Sequence, residues 1–107
     1  MKVELVFPIA LVLAGCAASY QFTGTGKPAT PKPPNCEIGV SATVPGPEYE
    51  ELGILQPVAN PTRDIREFKE SVREPVCRAG GDHVVGEING LGIYVRGVVF
   101  RKVTDAK

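Results

Sequence analysis

Between positions 60 and 80 apolar side chains return every three or four residues. Ile65, Phe68, Val72, Val76 and Ala79 fall on one stripe, while Arg66, Glu67, Lys69, Glu70 and Arg73 mostly occupy other faces. That period predicts one amphipathic helix. Asn60-Pro61 offers it a start, with Asn as cap and proline at the first helical position. Pro75 lies inside the stripe, where it removes an amide donor and crowds the preceding turn, so a kink or two short helices are expected there. Gly80-Gly81 supplies the stop, because glycine suits the left-handed position past a helix end. Glu70 and Glu74 stand four residues from Arg66 and Arg78, a pairing worth roughly a few tenths of a kcal/mol each.

The flanking segments alternate instead. Ile38, Val40 and Ala42 read as one face of a strand, Pro45-Gly46-Pro47 breaks the chain, and a second extended segment follows at about 51–58. After the helix, 83–88 reads as a strand, Asn89-Gly90-Leu91-Gly92 as a tight turn and 93–103 as a longer strand. The expected order is strand, strand, helix, strand, strand. This is an α+β domain with a C-terminal antiparallel hairpin and one helix packed on the sheet.

Residues 5–14 fit neither period. They form an uninterrupted apolar run after a charged start that contains Lys2 and Glu4, and the run ends in small residues, the layout of a secretory signal peptide. As a membrane-spanning helix, 5–18 would reach only ~21 Å at ~1.5 Å per residue, against a hydrocarbon core of ~30 Å. Pro8 would also kink it. The residues that close the run, Leu13-Ala14-Gly15-Cys16, resemble the lipobox of bacterial lipoproteins. The resemblance implies recognition of Leu13, Ala14 and Gly15 by a signal peptidase, cleavage before Cys16, and a diacylglycerol thioether on Cys16. Acyl chains contribute about 0.8 kcal/mol per buried methylene, so two or three of them make a lasting anchor. Ala17 stands where an aspartate favours inner-membrane retention in enterobacterial lipoproteins. The resemblance therefore implies an outer-membrane protein facing the periplasm, or the outer face of the plasma membrane in a single-membrane cell.

From Ala17 to Asn35 no hydrophobic period is apparent. Gly24 and Gly26 loosen the chain, and Pro28, Pro31, Pro33 and Pro34 favour extended polyproline geometry. The expected organisation is a signal peptide over 1–15, a lipidated cysteine with a Pro/Gly/Thr-rich tether over 16–35, and a folded domain over 36–107. A ligand for a proline-recognising partner is the alternative reading of the tether.

Composition narrows the function classes. Lys and Arg number 12, as do Asp and Glu, and no basic stripe appears, which argues against nucleic acid as a partner. A domain of about 70 residues buries little and usually needs a staple. With Cys16 assigned to lipid, Cys36 and Cys77 form an even pair in an oxidising compartment and are expected to make a disulfide. It would tie the start of the first strand to the last turn of the helix. Other roles for these residues are weaker. A free thiolate at Cys77 would meet the negative end of the helix dipole. Cys36, Cys77 and His83 match no standard zinc spacing. Asp82-His83 invites an acid–base reading, but a lone histidine at the mouth of a strand reads first as a surface residue. No catalytic residue, metal ligand or cofactor site is assigned.

The segment Val76-Cys77-Arg78-Ala79-Gly80-Gly81-Asp82-His83-Val84-Val85-Gly86 resembles the stretch Ala-x-x-x-Gly-Ala-Asp-Ala-Val-Val of small bacterial envelope lipoproteins of unassigned function. The same arrangement occurs in the Rcs stress-sensor lipoprotein and YbjQ-like proteins, often after a segment like Leu52-Gly53-Ile54-Leu55. The resemblance implies a helix running through a glycine turn into a buried strand. The expected function is a non-enzymatic envelope lipoprotein, held to the membrane by covalent lipid, whose domain meets another envelope protein or stabilises an assembly. An envelope stress or redox sensor is the alternative, and a thiol or hydrolytic enzyme the second.

Overall fold

The computed structural model describes residues 19–26 and 29–103. The expected signal peptide over 1–15, with Leu13, Ala14 and Gly15, and the lipid-bearing Cys16 lie outside the described residues. Five strands, β1 (Ser19–Gly24), β2 (Gly39–Ser41), β3 (Tyr49–Ala59), β4 (His83–Ile88) and β5 (Tyr94–Lys102), form one sheet in the order β1-β3-β5-β4-β2. All neighbours are antiparallel except β2 and β4, which run parallel. Helix α1 (Ile65–Arg78) packs on one sheet face. Among the described residues, the α+β class, the single covering helix and the C-terminal hairpin agree with the hydrophobic pattern.

The helix begins later than Asn60-Pro61 suggests. Asp64 is the cap, its side chain accepting from the Arg66 amide at 2.9 Å. Asn60 instead adopts φ 50°, in the left-handed region that asparagine tolerates better than most residues. The intervening Thr62 is buried, donates its hydroxyl to Glu67 at 2.6 Å and accepts from the Asp64 amide at 3.1 Å. Nor does Pro75 divide the helix, which runs unbroken from Ile65 to Arg78. Pro75 falls in the last turn, and its own carbonyl still accepts from the Ala79 amide at 3.1 Å. The stop is as expected. Gly80, at φ +85°, donates to the Cys77 carbonyl, and Gly81 donates to that of Val76, which satisfies two of the terminal carbonyls. On the helix surface Glu74 pairs with Arg78, but Glu70 pairs with Arg73 at 2.9 Å rather than with Arg66. Arg73 is drawn that way because its other terminal nitrogen donates to the Cys36 carbonyl at 2.8 Å.

The buried face of the helix carries Phe68, Val72, Val76 and Cys77. Phe68 meets the sheet where Gly86 and Gly97 face each other across β4 and β5. A Cβ at either glycine would come within 3.3 Å of the Phe68 ring, so the missing side chains make room for it. Phe68 also stacks on Tyr94 at 4.3 Å and meets Tyr20 edge-on at 5.1 Å. Leu55, Val84 and Val99 complete the fully buried centre.

The tether expected over 16–35 is corrected from Ser19 onward. Ser19–Gly24 is strand β1, paired in antiparallel register along β3, with Tyr20 buried in the core. The physical reason is a short alternation, Tyr20 and Phe22 between Ser19, Gln21 and Thr23, which fits a pleated surface despite the glycines and prolines that follow. The proline-rich stretch is also held. The Lys32 amide donates to the Cys77 carbonyl at 2.8 Å, Lys32 Nζ pairs with Asp82, and Ala29 packs against the core. It carries the chain past the C-terminal end of α1 towards β2 at the other edge of the sheet. The domain thus includes residues on the N-terminal side of Cys36.

Candidate functional site

β1 begins three positions after Cys16, so Ala17 and Ala18 are the sole residues between the expected lipid site and the sheet. The strand is firmly seated there. The Tyr20 hydroxyl donates to the Tyr94 carbonyl at 2.9 Å and accepts from the Thr62 amide at 3.1 Å, joining β1, β5 and the lead into α1. Burial is the main reason that its phenol ionises above the usual range. Among the described residues, the other edge of β1 has no strand beside it. Between β1 and the last turn of α1 lies an open groove of about 580 Å3, lined by Tyr20, Phe22, Val58, Pro75, Arg78 and Ala79 among others.

Cys36 and Cys77 form the expected disulfide, with their Cα atoms 5.9 Å apart and a sequence separation of 41. The bond joins the approach to β2 with the end of α1. Cys77 is fully buried, whereas Cys36 is half-buried at the margin of the core. Both sulfurs are therefore committed, and neither the free nucleophile at Cys77 nor a Cys36, Cys77 and His83 metal set exists in this structure.

His83 is not the simple surface residue expected at a strand mouth. It is half-buried, its ring lies against Gly39, and its Nε2 is 2.7 Å from Ser41 Oγ. The Tyr49 ring meets it edge-on at 5.9 Å. Sequence reasoning had no signal for this pair, which depends on the parallel registration of β2 with β4. Asp82, the neighbouring acid, faces elsewhere: it binds Lys32 and accepts from the Lys102 amide at 2.8 Å. Ser41 Oγ also lies 2.8 Å from the Thr43 carbonyl, and when its hydroxyl donates there its oxygen is left to accept from His83 Nε2–H. A histidine acting as general base on serine needs the opposite arrangement, with Nε2 unprotonated and the hydroxyl pointing at it.

Burial lowers the His83 pKa from its ordinary value of 6.5. The unfolded chain then binds a proton more readily than the folded one. Stability contributed by keeping His83 neutral is intact above about pH 6.5 and declines as pH falls through the interval down to the folded-state value. Urea midpoints between pH 8 and pH 5 should show this acid-side decline, and His83→Gln should flatten it. A slope unchanged by that substitution would assign the pH dependence to other groups.

No family model matches the chain, and no curated protein or solved structure matches it. Among the described residues, no helix is long and apolar enough to cross a membrane.

Proposed function

We propose that this chain is a membrane-anchored envelope lipoprotein, cleaved before Cys16 and lipidated there, whose small domain serves a binding or structural role rather than a catalytic one. The observation that carries the reading is the apolar run of 5–14 closing in Leu13-Ala14-Gly15-Cys16 directly ahead of a folded domain. A cysteine at that junction has a chemical purpose, since its thiol is the atom that takes the diacylglycerol. The remaining cysteines are bound to each other, which supports an oxidising compartment and leaves no free thiol among the described residues for chemistry. Ala17 supports sorting to the outer membrane in a cell that has one. The domain would present its open sheet edge along β1, and the part of the groove lined by Phe22, Pro75, Arg78 and Ala79, to another envelope protein.

A redox-sensing role through Cys36–Cys77 has less support, because the Cys77 sulfur is buried and an attacking thiolate would have to approach from Cys36. Cys16→Ser tests the anchor. The parent protein should sediment with membranes and enter the detergent phase, and the variant should accumulate as an uncleaved or soluble form. A parent protein that, like the variant, incorporates no labelled fatty acid would sink the lipoprotein reading.

A further inference from the structure

The domain leaves seven large apolar side chains exposed among the described residues: Val44, Val58, Ile65, Ile88, Leu91, Val95 and Val103. Scattered exposed residues of this kind are ordinary, and their placement is what matters. Val58 is next to last in β3, Ile65 opens α1, Ile88 closes β4, Leu91 lies in the hairpin turn and Val95 is second in β5. The register puts all five at one end of the sheet. Ser19 faces Ala59, Ile88 faces Tyr94, and the Tyr94 amide donates to the Thr62 carbonyl just ahead of α1. Leu91 is 70% exposed, Val58 61% and Ile88 58%. Val103 follows the far end of β5, and Val44 lies in the link from β2 to β3.

This end is also where the chain leaves the structure toward Cys16. Three Cα-to-Cα steps separate Cys16 from Ser19, and at ~3.3–3.6 Å each they span at most ~11 Å. The headgroup region on either side of the hydrocarbon core is roughly 5–8 Å deep. A lipid on Cys16 therefore leaves no room for a long stalk, and the start of β1 must stay beside the headgroups. Exposed Arg63 and Arg66 flank Ile65 and suit anionic lipid phosphates. The acids beside them, Asp64 and Glu67, are occupied by the Arg66 amide and the Thr62 hydroxyl.

We propose that the rim formed by Val58, Ile65, Ile88, Leu91 and Val95 rests on the lipid surface and seats the domain end-on against the bilayer. This inference depends on the lipoprotein reading, and the experiment separates the two. The full chain, processed through its own leader, is extracted from membranes, weighed intact, and placed in vesicles of phosphatidylethanolamine and phosphatidylglycerol. Leu91→Cys and Val103→Cys each carry an environment-sensitive fluorophore at an exposed position. On lipidated protein the label at 91 should lose most of its quenching by aqueous iodide and become quenched by nitroxide lipids, while the label at 103 stays accessible to iodide. Two iodide-accessible labels on lipidated protein would overturn the docking and leave the anchor standing. Shielding at 91 that appears only after other envelope proteins are added would assign the rim to a protein partner and overturn the proposal. A mass without lipid would remove the anchor and the docking together.

Discussion

Replacing both disulfide cysteines, Cys36→Ala with Cys77→Ala, is expected to lower the unfolding free energy by roughly 4 kcal/mol, the entropic value of closing a loop of about 40 residues. For a domain this small each kcal/mol corresponds to roughly 4–8 °C, so the melting temperature should fall by about 15–30 °C. The effect is large because of what the bond joins. β2 is only three residues long and pairs with a single neighbour, β4. Its attachment to the helix end runs through Cys36, whose carbonyl also receives Arg73. Without the bridge, β2 and the preceding proline-rich stretch depend on burial of Ile38 and Ala29 and on the hydrogen bonds of Lys32 and Arg73, and an edge strand of three residues is a poor folding unit on its own. Urea unfolding of the oxidised parent and the double variant measures the difference. A loss below about 1 kcal/mol would mean that the unfolded chain is already held compact or that the bond is strained, either of which contradicts the stapling argument.

Phe68→Ala should cost about 3–5 kcal/mol, the range for removing a large buried aromatic side chain. The upper part of that range is expected here. The ring is fully buried between Tyr20 and Tyr94, and beneath it stand Gly86 and Gly97, which have no side chains to move into the space. Phe68→Leu should lose distinctly less, since part of the volume is kept. Equal losses for the two variants would show that ring stacking, rather than filling the hollow over the glycines, is what matters at this position.

The glycine hollow was not legible in the sequence. Gly86 and Gly97 are far apart along the chain, and only the hairpin register makes them a pair. The helix was legible because its apolar residues keep a 3.6-residue period, and the hairpin because Asn89 punctuates two alternating runs. Asn89 accepts from both the Leu91 and Ile93 amides, and it is Gly92, at φ +80°, that turns left-handed. The helix start was misplaced because Asn60-Pro61 has the form of a cap followed by a first-turn proline, whereas the helix is capped by Asp64. The Asp64-to-Glu67 spacing, that of a capping box, was the signal that distinguishes them. β1 was hidden for a different reason. Its alternation covers only six residues, and the Gly- and Pro-rich composition around it outweighs so short a pattern. The disulfide followed from counting cysteines, whereas the Ser41–His83 contact is a product of parallel pairing between an edge strand and its neighbour, for which local sequence carries no mark. The same pairing explains why a histidine expected at the surface is half-buried.

The central claim is that Cys16 carries lipid and that the domain beyond it is closed by Cys36–Cys77. It is tested most directly by the intact mass of membrane-extracted protein, alkylated without reduction. The account predicts a chain that begins at Cys16, is heavier by a diacylglycerol with or without a further acyl group, and takes up no alkylating reagent. A chain still carrying residues 1–15 and no lipid would contradict the anchor, and two added alkyl groups would contradict the bridge.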